Sequence, residues 1–141
     1  MSPFSRETLL AKPVLKYLRG EGFVHLGTEL PFYEYRIDVY GYSGGRDLSV
    51  AVELKLTKWR SAVRQALLYQ LCADMALLAM PRRVTHRIDL DLLRSYGIGL
   101  IEVDDDGSCS LRLAPTTSGV VRAHYRHAYA EMVGGKAPCQ Q

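Results

Sequence analysis

Apolar residues along this chain change their spacing several times, and each change predicts an element. Leu9, Leu10, Val14, Leu15 and Leu18 recur at helical spacing, so a helix is expected from about Ser5 to Arg19, ended by "RGEG". Pro13 either kinks that helix or occupies the first turn of a shorter one. A short strand is expected from Val24 to Leu30. In "YEYRIDVYGYSGGRDLSVAVELKL" two β-rich runs flank a glycine-containing turn, the pattern of a hairpin.

Alternation in that hairpin sorts residues onto faces. Glu34, Arg36 and Asp38 are expected on one side of the first strand, with Ile37 and Val39 on the other. In the second strand Val50, Val52 and Leu54 share a face, and Ala51, Glu53 and Lys55 share the opposite one. Register then decides how the polar groups meet. Asp38 and Glu53 are direct partners if the loop centres on Gly45 and Arg46, and diagonal neighbours if it centres on Gly44 and Gly45. Both arrangements bring their Cβ atoms to about 5–8 Å, whereas a slip of one residue separates them.

Beyond the hairpin, "TKWRSAVRQALLYQLCAD" predicts a helix capped by Thr57, with Trp59, Val63, Ala66, Leu67 and Leu71 on its apolar side. Gln65 and Tyr69, four apart, share a helix face. "MALLAMP" is short and wholly apolar, as a strand buried on both faces must be. "IDLDLLRSYG" predicts another helix, "IGLIEVDDDGSCSLRLA" a hairpin with an Asp-Gly turn, and "VVRAHYRHAYAEMV" a last helix. The fold class expected is α/β, a mixed central β-sheet flanked by helices, in one domain over residues 1–133 with a frayed tail over 134–141.

Composition narrows the function classes. The 141 residues are 48% hydrophobic and 23% charged, which suits one globular domain with a sizeable core. No apolar run approaches the ~20 residues of a membrane-spanning helix, and the first residues lack a secretory pattern, so a cytoplasmic location and no membrane partner are expected. Cys72, Cys109 and Cys139 match neither a disulfide framework nor a zinc spacing and read as free thiols. A net charge of +3 permits a polyanionic partner without arguing for one.

Two carboxylates from neighbouring strands with a lysine two residues on suit the chemistry of a phosphodiester. Hard divalent ions bind through one or two carboxylates, waters and phosphate oxygens, and lower the pKa of an attacking water. An adjacent ammonium orients that water or stabilises charge developing on phosphorus. Lys55, Lys58, Arg60 and Arg64 span ten residues without an acid, which marks Lys58, Arg60 and Arg64 as candidate nucleic-acid contacts. Arg82, Arg83 and Arg87 form a second basic group. Trp59 reads as a core anchor. His124 and His127 have no partner set for a zinc site, and Asp104, Asp105, Asp106 and Gly107 form a turn rather than a calcium loop.

"RIDVYGY", "VAVELKL" and "WRSAVRQALLYQ" ending in "AD" before "MALLAMP" together resemble the PD-(D/E)XK nuclease superfamily, with its restriction-endonuclease-like fold. The core of the resemblance runs from about Glu29 to Pro81. It implies that Asp38 is the aspartate of the motif, that Glu53 and Lys55 are its ExK, and that Gln65 is the glutamine often found on the following helix. Glu7 and Glu29 are candidates for an additional acidic metal ligand. Ile37 stands where the motif has proline. The resemblance implies a metal-dependent nuclease acting on DNA, with Mg²⁺ or Mn²⁺ as cofactor and a homodimer or protein partner supplying specificity. The alternative is a non-catalytic nucleic-acid-binding or assembly subunit that retains the nuclease fold.

Overall fold

The computed structural model describes residues 2–136, and Cys139 with the end of the expected tail lies outside them. A 3-10 turn at Glu7–Leu10 leads into α1 (Ala11–Gly20). Leu10, Val14 and Leu18 form its buried stripe. Pro13 sits in the first turn of this shorter helix, where its missing N–H leaves no bond unmade. Then come β1 (His25–Phe32), β2 (Tyr35–Ser43), β3 (Leu48–Leu54), α2 (Trp59–Tyr69), β4 (Met75–Pro81), α3 (Leu90–Tyr96), β5 (Gly99–Val103), β6 (Cys109–Leu113) and α4 (Ala123–Met132). A 3-10 segment at Arg82–Arg87, which periodicity does not announce, links β4 to α3.

The strands form one six-stranded mixed sheet in the order β1-β2-β3-β4-β5-β6. The pairs β3–β4 and β4–β5 are parallel, and the crossovers they require are α2 and α3. The remaining pairs are antiparallel. One core layer packs Trp59, Ala66 and Leu93 against Tyr40, Ala51, Leu78 and Leu100. The other packs Leu10, Val14 and Leu18 of α1 and its lead-in turn against Val39, Val50, Val52, Leu54 and Ile101. Covered on both sides, β4 reads as the unbroken apolar run its sequence shows.

Three local expectations change. The cap of α2 is Lys58, not Thr57, and it makes no side-chain capping bond; the Thr57 carbonyl instead accepts the Trp59 N–H at 2.9 Å. Ile37 and Val39 fall in different core layers, so strict alternation fails between them. The reason lies at Asp38, where the pairing of β2 is interrupted on both sides. Thirdly, the chain stays packed past residue 133, with the Gly135 N–H donating to Ala130 O at 2.9 Å.

Arg126 anchors α4 to the sheet. Its Nε donates to Asp74 Oδ1 and Oδ2 at 3.0 and 2.9 Å, and its Nη2 to Asp47 Oδ1 at 3.0 Å. Asp74 Oδ2 also accepts from the Ser49 amide and hydroxyl at 2.8 and 3.0 Å. Burial of these charges is tolerable because each acceptor is satisfied.

Candidate functional site

The β2–β3 register is the one centred on Gly45 and Arg46, since Ser43 faces Leu48 and Val39 faces Val52. One step further in that register sets Asp38 opposite Glu53. Regular pairing stops before that step, and Asp38 Oδ2 accepts the Leu54 N–H at 2.8 Å in place of a ladder bond. On the other side, Thr28 pairs with Val39 and Leu30 with Ile37, while Glu29 between them has φ 54° and drops out of the β1–β2 ladder. A non-glycine residue in the left-handed region costs about 1–2 kcal/mol. Both strands flanking Asp38 are thus irregular beside it, and its carboxylate lies at the break.

Glu53 is 3% exposed. The Gln65 side-chain amide faces the Glu53 carboxyl: with its nitrogen inward it donates to a carboxylate, 3.0 Å from Oε1, and with its oxygen inward it accepts from the protonated acid. The Tyr69 hydroxyl lies 2.7 Å from Glu53 Oε1 and 2.8 Å from the Arg36 carbonyl, so its single proton is shared between two acceptors. The four-residue spacing of Gln65 and Tyr69 puts both over the same carboxylate. Sequence spacing put Tyr69 on the face of Gln65 without showing that Glu53 lies beneath it.

The two carboxyl groups act on one another electrostatically, and the pKa of each is raised, in both cases chiefly by burial. Burial, followed by repulsion from Asp38, pushes the Glu53 carboxyl up to about 8, against the opposing pull of Tyr69 and Lys55. Burial also raises Asp38, with Glu7 adding to the rise, while the Leu54 amide and the Lys55 charge oppose it. Glu53 therefore keeps a proton in neutral solution when no cation is near.

A cleft of about 240 Å³ opens beside Asp38, lined by Glu7, Thr8, Ala11, Thr28, Glu29 and Leu54. Both additional acidic candidates thus line the same hollow as Asp38, and the charge of Glu7 reaches it. Among the described residues no group of three His, Cys, Asp or Glu side chains converges as a ready-made metal cage. Lys55, half-buried, acts electrostatically on both carboxylates. Lys58, which caps α2, and Arg60 and Arg64 in its N-terminal half are exposed, on the helix that carries Gln65. The Arg60 guanidinium lies 4.4 Å from the centroid of the Trp59 ring, which is itself buried in the core.

The other polar groups lie apart from this cluster. Arg82 pairs with Asp104 at 3.5 Å, and Arg83 forms a forked bond with Asp105, so these arginines brace the β5–β6 turn. His127 pairs with Glu131 at 3.3 Å, and the His124 ring lies tilted against Tyr125 at 4.2 Å. No helix among the described residues is long and apolar enough to cross a membrane.

No family model matches the chain, and no curated protein matches it. A solved structure of SPO1766, a protein of unknown function from Silicibacter pomeroyi, superposes with a TM-score of 0.66 at 21% identity, covering 86% of this chain and 79% of that one. The structure of Pyrococcus furiosus SfsA in complex with Ca²⁺ gives a TM-score of 0.42 at 14% identity, over 78% of this chain and 61% of that one. The likeness to SPO1766 shows that the mixed α/β fold, a six-stranded sheet flanked by helices, is shared.

Proposed function

We propose that this protein is a metal-dependent nuclease that hydrolyses phosphodiester bonds in DNA. One observation carries the reading: the buried Glu53 and Asp38 face one another at an interruption of the sheet, where Asp38 Oδ2 takes the Leu54 N–H in place of a ladder bond, and burial with the Asp38 charge raises the pKa of Glu53, a load that a bound cation would relieve. A pair so placed costs stability in a protein that gains nothing from it.

The donor set fits a hard divalent ion, which takes one or two carboxylates and completes its shell with water and phosphate oxygens. Asp38 and Glu53 would hold Mg²⁺ or Mn²⁺, with Glu7 or Glu29 as the additional acid from the cleft wall. A bound ion would supply Lewis acidity and a water of lowered pKa. Lys55 would present its ammonium to the scissile phosphate or the attacking water, where charge develops. Gln65 and Tyr69 fix the orientation of the Glu53 carboxylate, as outer hydrogen bonds do for metal ligands. Lys58, Arg60 and Arg64 would hold phosphates along the strand. The preference for DNA over RNA rests on the family resemblance, as does the role of a second copy or protein partner in specificity.

The test is cleavage of linear duplex, single-stranded and branched DNA with Mg²⁺, Mn²⁺ or EDTA, using wild type beside Lys55→Ala. Metal-dependent cutting that the variant loses supports the nuclease. Binding with a steep salt dependence but no turnover on any substrate replaces it with the non-catalytic nucleic-acid-binding subunit.

A further inference from the structure

Tyr33 sits at the tip of the β1–β2 hairpin with φ 55° and 72% of its surface exposed. The backbone of the turn does not call for an aromatic residue there. The left-handed conformation favours Gly or Asn, and so exposed a ring contributes little to the core. Its orientation is nevertheless fixed. The buried Phe32 ring packs against it edge to face at 4.9 Å, the Tyr125 ring at 6.2 Å, and the Tyr33 and Tyr125 hydroxyls are bonded to each other. The His124 ring lies 4.2 Å from the Tyr125 ring, tilted by 40° to it.

The surroundings give this surface an occupant. Arg36, exposed, follows the hairpin tip, and Arg122, also exposed, caps α4 three residues before Tyr125. The carbonyl of Arg36 accepts from Tyr69, whose hydroxyl also touches Glu53. Glu34, exposed, directly follows Tyr33, so the two arginines leave the tip with a positive balance that suits a phosphate backbone.

We propose that Tyr33, braced by Tyr125, is a stacking platform for an unpaired base of single-stranded DNA. The inference rests on the nuclease reading for which strand segment arrives there. Stacking on an aromatic side chain contributes about 1–3 kcal/mol per base and requires a base free of its duplex partner. A bound duplex would leave the platform unused.

Fluorescence anisotropy with a labelled single-stranded oligonucleotide and the duplex of the same sequence, both in EDTA, tests this apart from catalysis. Tyr33→Gly and Tyr33→Asn suit the left-handed backbone but give up the ring contacts and the Tyr125 bond, so each is first shown by its melting curve to be folded at the assay temperature. Each should weaken single-strand binding about tenfold and leave duplex binding within about twofold. Tyr33→Phe should retain single-strand affinity, because the ring carries the contact. Unchanged single-strand affinity in the Gly and Asn variants, equal losses on both substrates, or no single-strand binding by wild type would overturn the platform. Single-strand binding that depends on Tyr33 in a protein that cuts nothing would keep the platform and reject the nuclease.

Discussion

Asp38 Oδ2 lies 2.8 Å from the amide nitrogen of Leu54, the residue after Glu53, and this bond stands where the β2–β3 ladder ends. The carboxylate therefore has two duties, to satisfy a backbone donor and to face Glu53. The duties separate by mutation. Asp38→Asn keeps an acceptor for Leu54, and its denaturation midpoint should stay near wild type while cleavage is lost. Asp38→Ala leaves that amide without its partner and should cost about 1–3 kcal/mol by urea denaturation.

Glu53 links stability to pH. Its carboxyl is held up to about 8, against 4.5 for the free group. Between those values the folded chain holds a proton that the unfolded chain releases. Its contribution is therefore fully present below about 4.5, is lost as pH rises toward about 8, and is flat beyond. Urea midpoints should fall from about pH 5 to about pH 8, and Glu53→Gln should flatten that fall. Mg²⁺ added at the upper pH should raise the wild-type midpoint, since an ion that binds only the folded site stabilises it.

Lys55 is expected to act on the reaction rather than on the fold. Lys55→Ala should lower the single-turnover cleavage rate by about 10²–10³, the range for removal of a preorganised charge at a transition state. Its melting temperature and its affinity for DNA in EDTA should stay close to those of wild type. A matching loss of affinity would move Lys55 from chemistry to strand binding.

The basic face of α2 makes a separate prediction. Replacing Lys58, Arg60 and Arg64 together with Ala should reduce the slope of log affinity against log salt by about 2–3, because each phosphate contact contributes about 0.7–0.9. Binding should weaken uniformly across sequences, as measured by anisotropy titrations at several salt concentrations.

Arg126 offers a control far from the chemistry. Its side chain is 13% exposed and serves Asp74 and Asp47 together. Arg126→Met should destabilise by about 3–5 kcal/mol, because it leaves the buried Asp74 carboxylate without its counter-charge. The effect should appear in chemical denaturation and not in metal affinity at temperatures where the variant is folded.

Periodicity conveyed the order of the strands and helices because each buried face repeats at the period of its element. Val50, Val52 and Leu54 fell on one face as alternation requires, and Asp38 and Glu53 met in one of the two registers expected. Alternation misled at Ile37 and Val39 because it assumes a regular ladder, and the ladder breaks at Asp38. The positive φ of Glu29 and Tyr33 has no sequence signal, since neither residue type favours that conformation. The Arg126 network was equally hidden, for it joins residues far apart in the chain that only the docking of α4 brings together. Tyr69 was legible as a neighbour of Gln65 but not as a partner of Glu53, because helix spacing fixes a face and not what lies beneath it.

The measurement that bears most directly on the account is Mn²⁺ binding by isothermal titration calorimetry to wild type, Asp38→Asn and Glu53→Gln, each first shown to be folded. Wild type should bind saturably, and either substitution should abolish the binding. Equal binding by all three, or none by wild type even with DNA present, would contradict it.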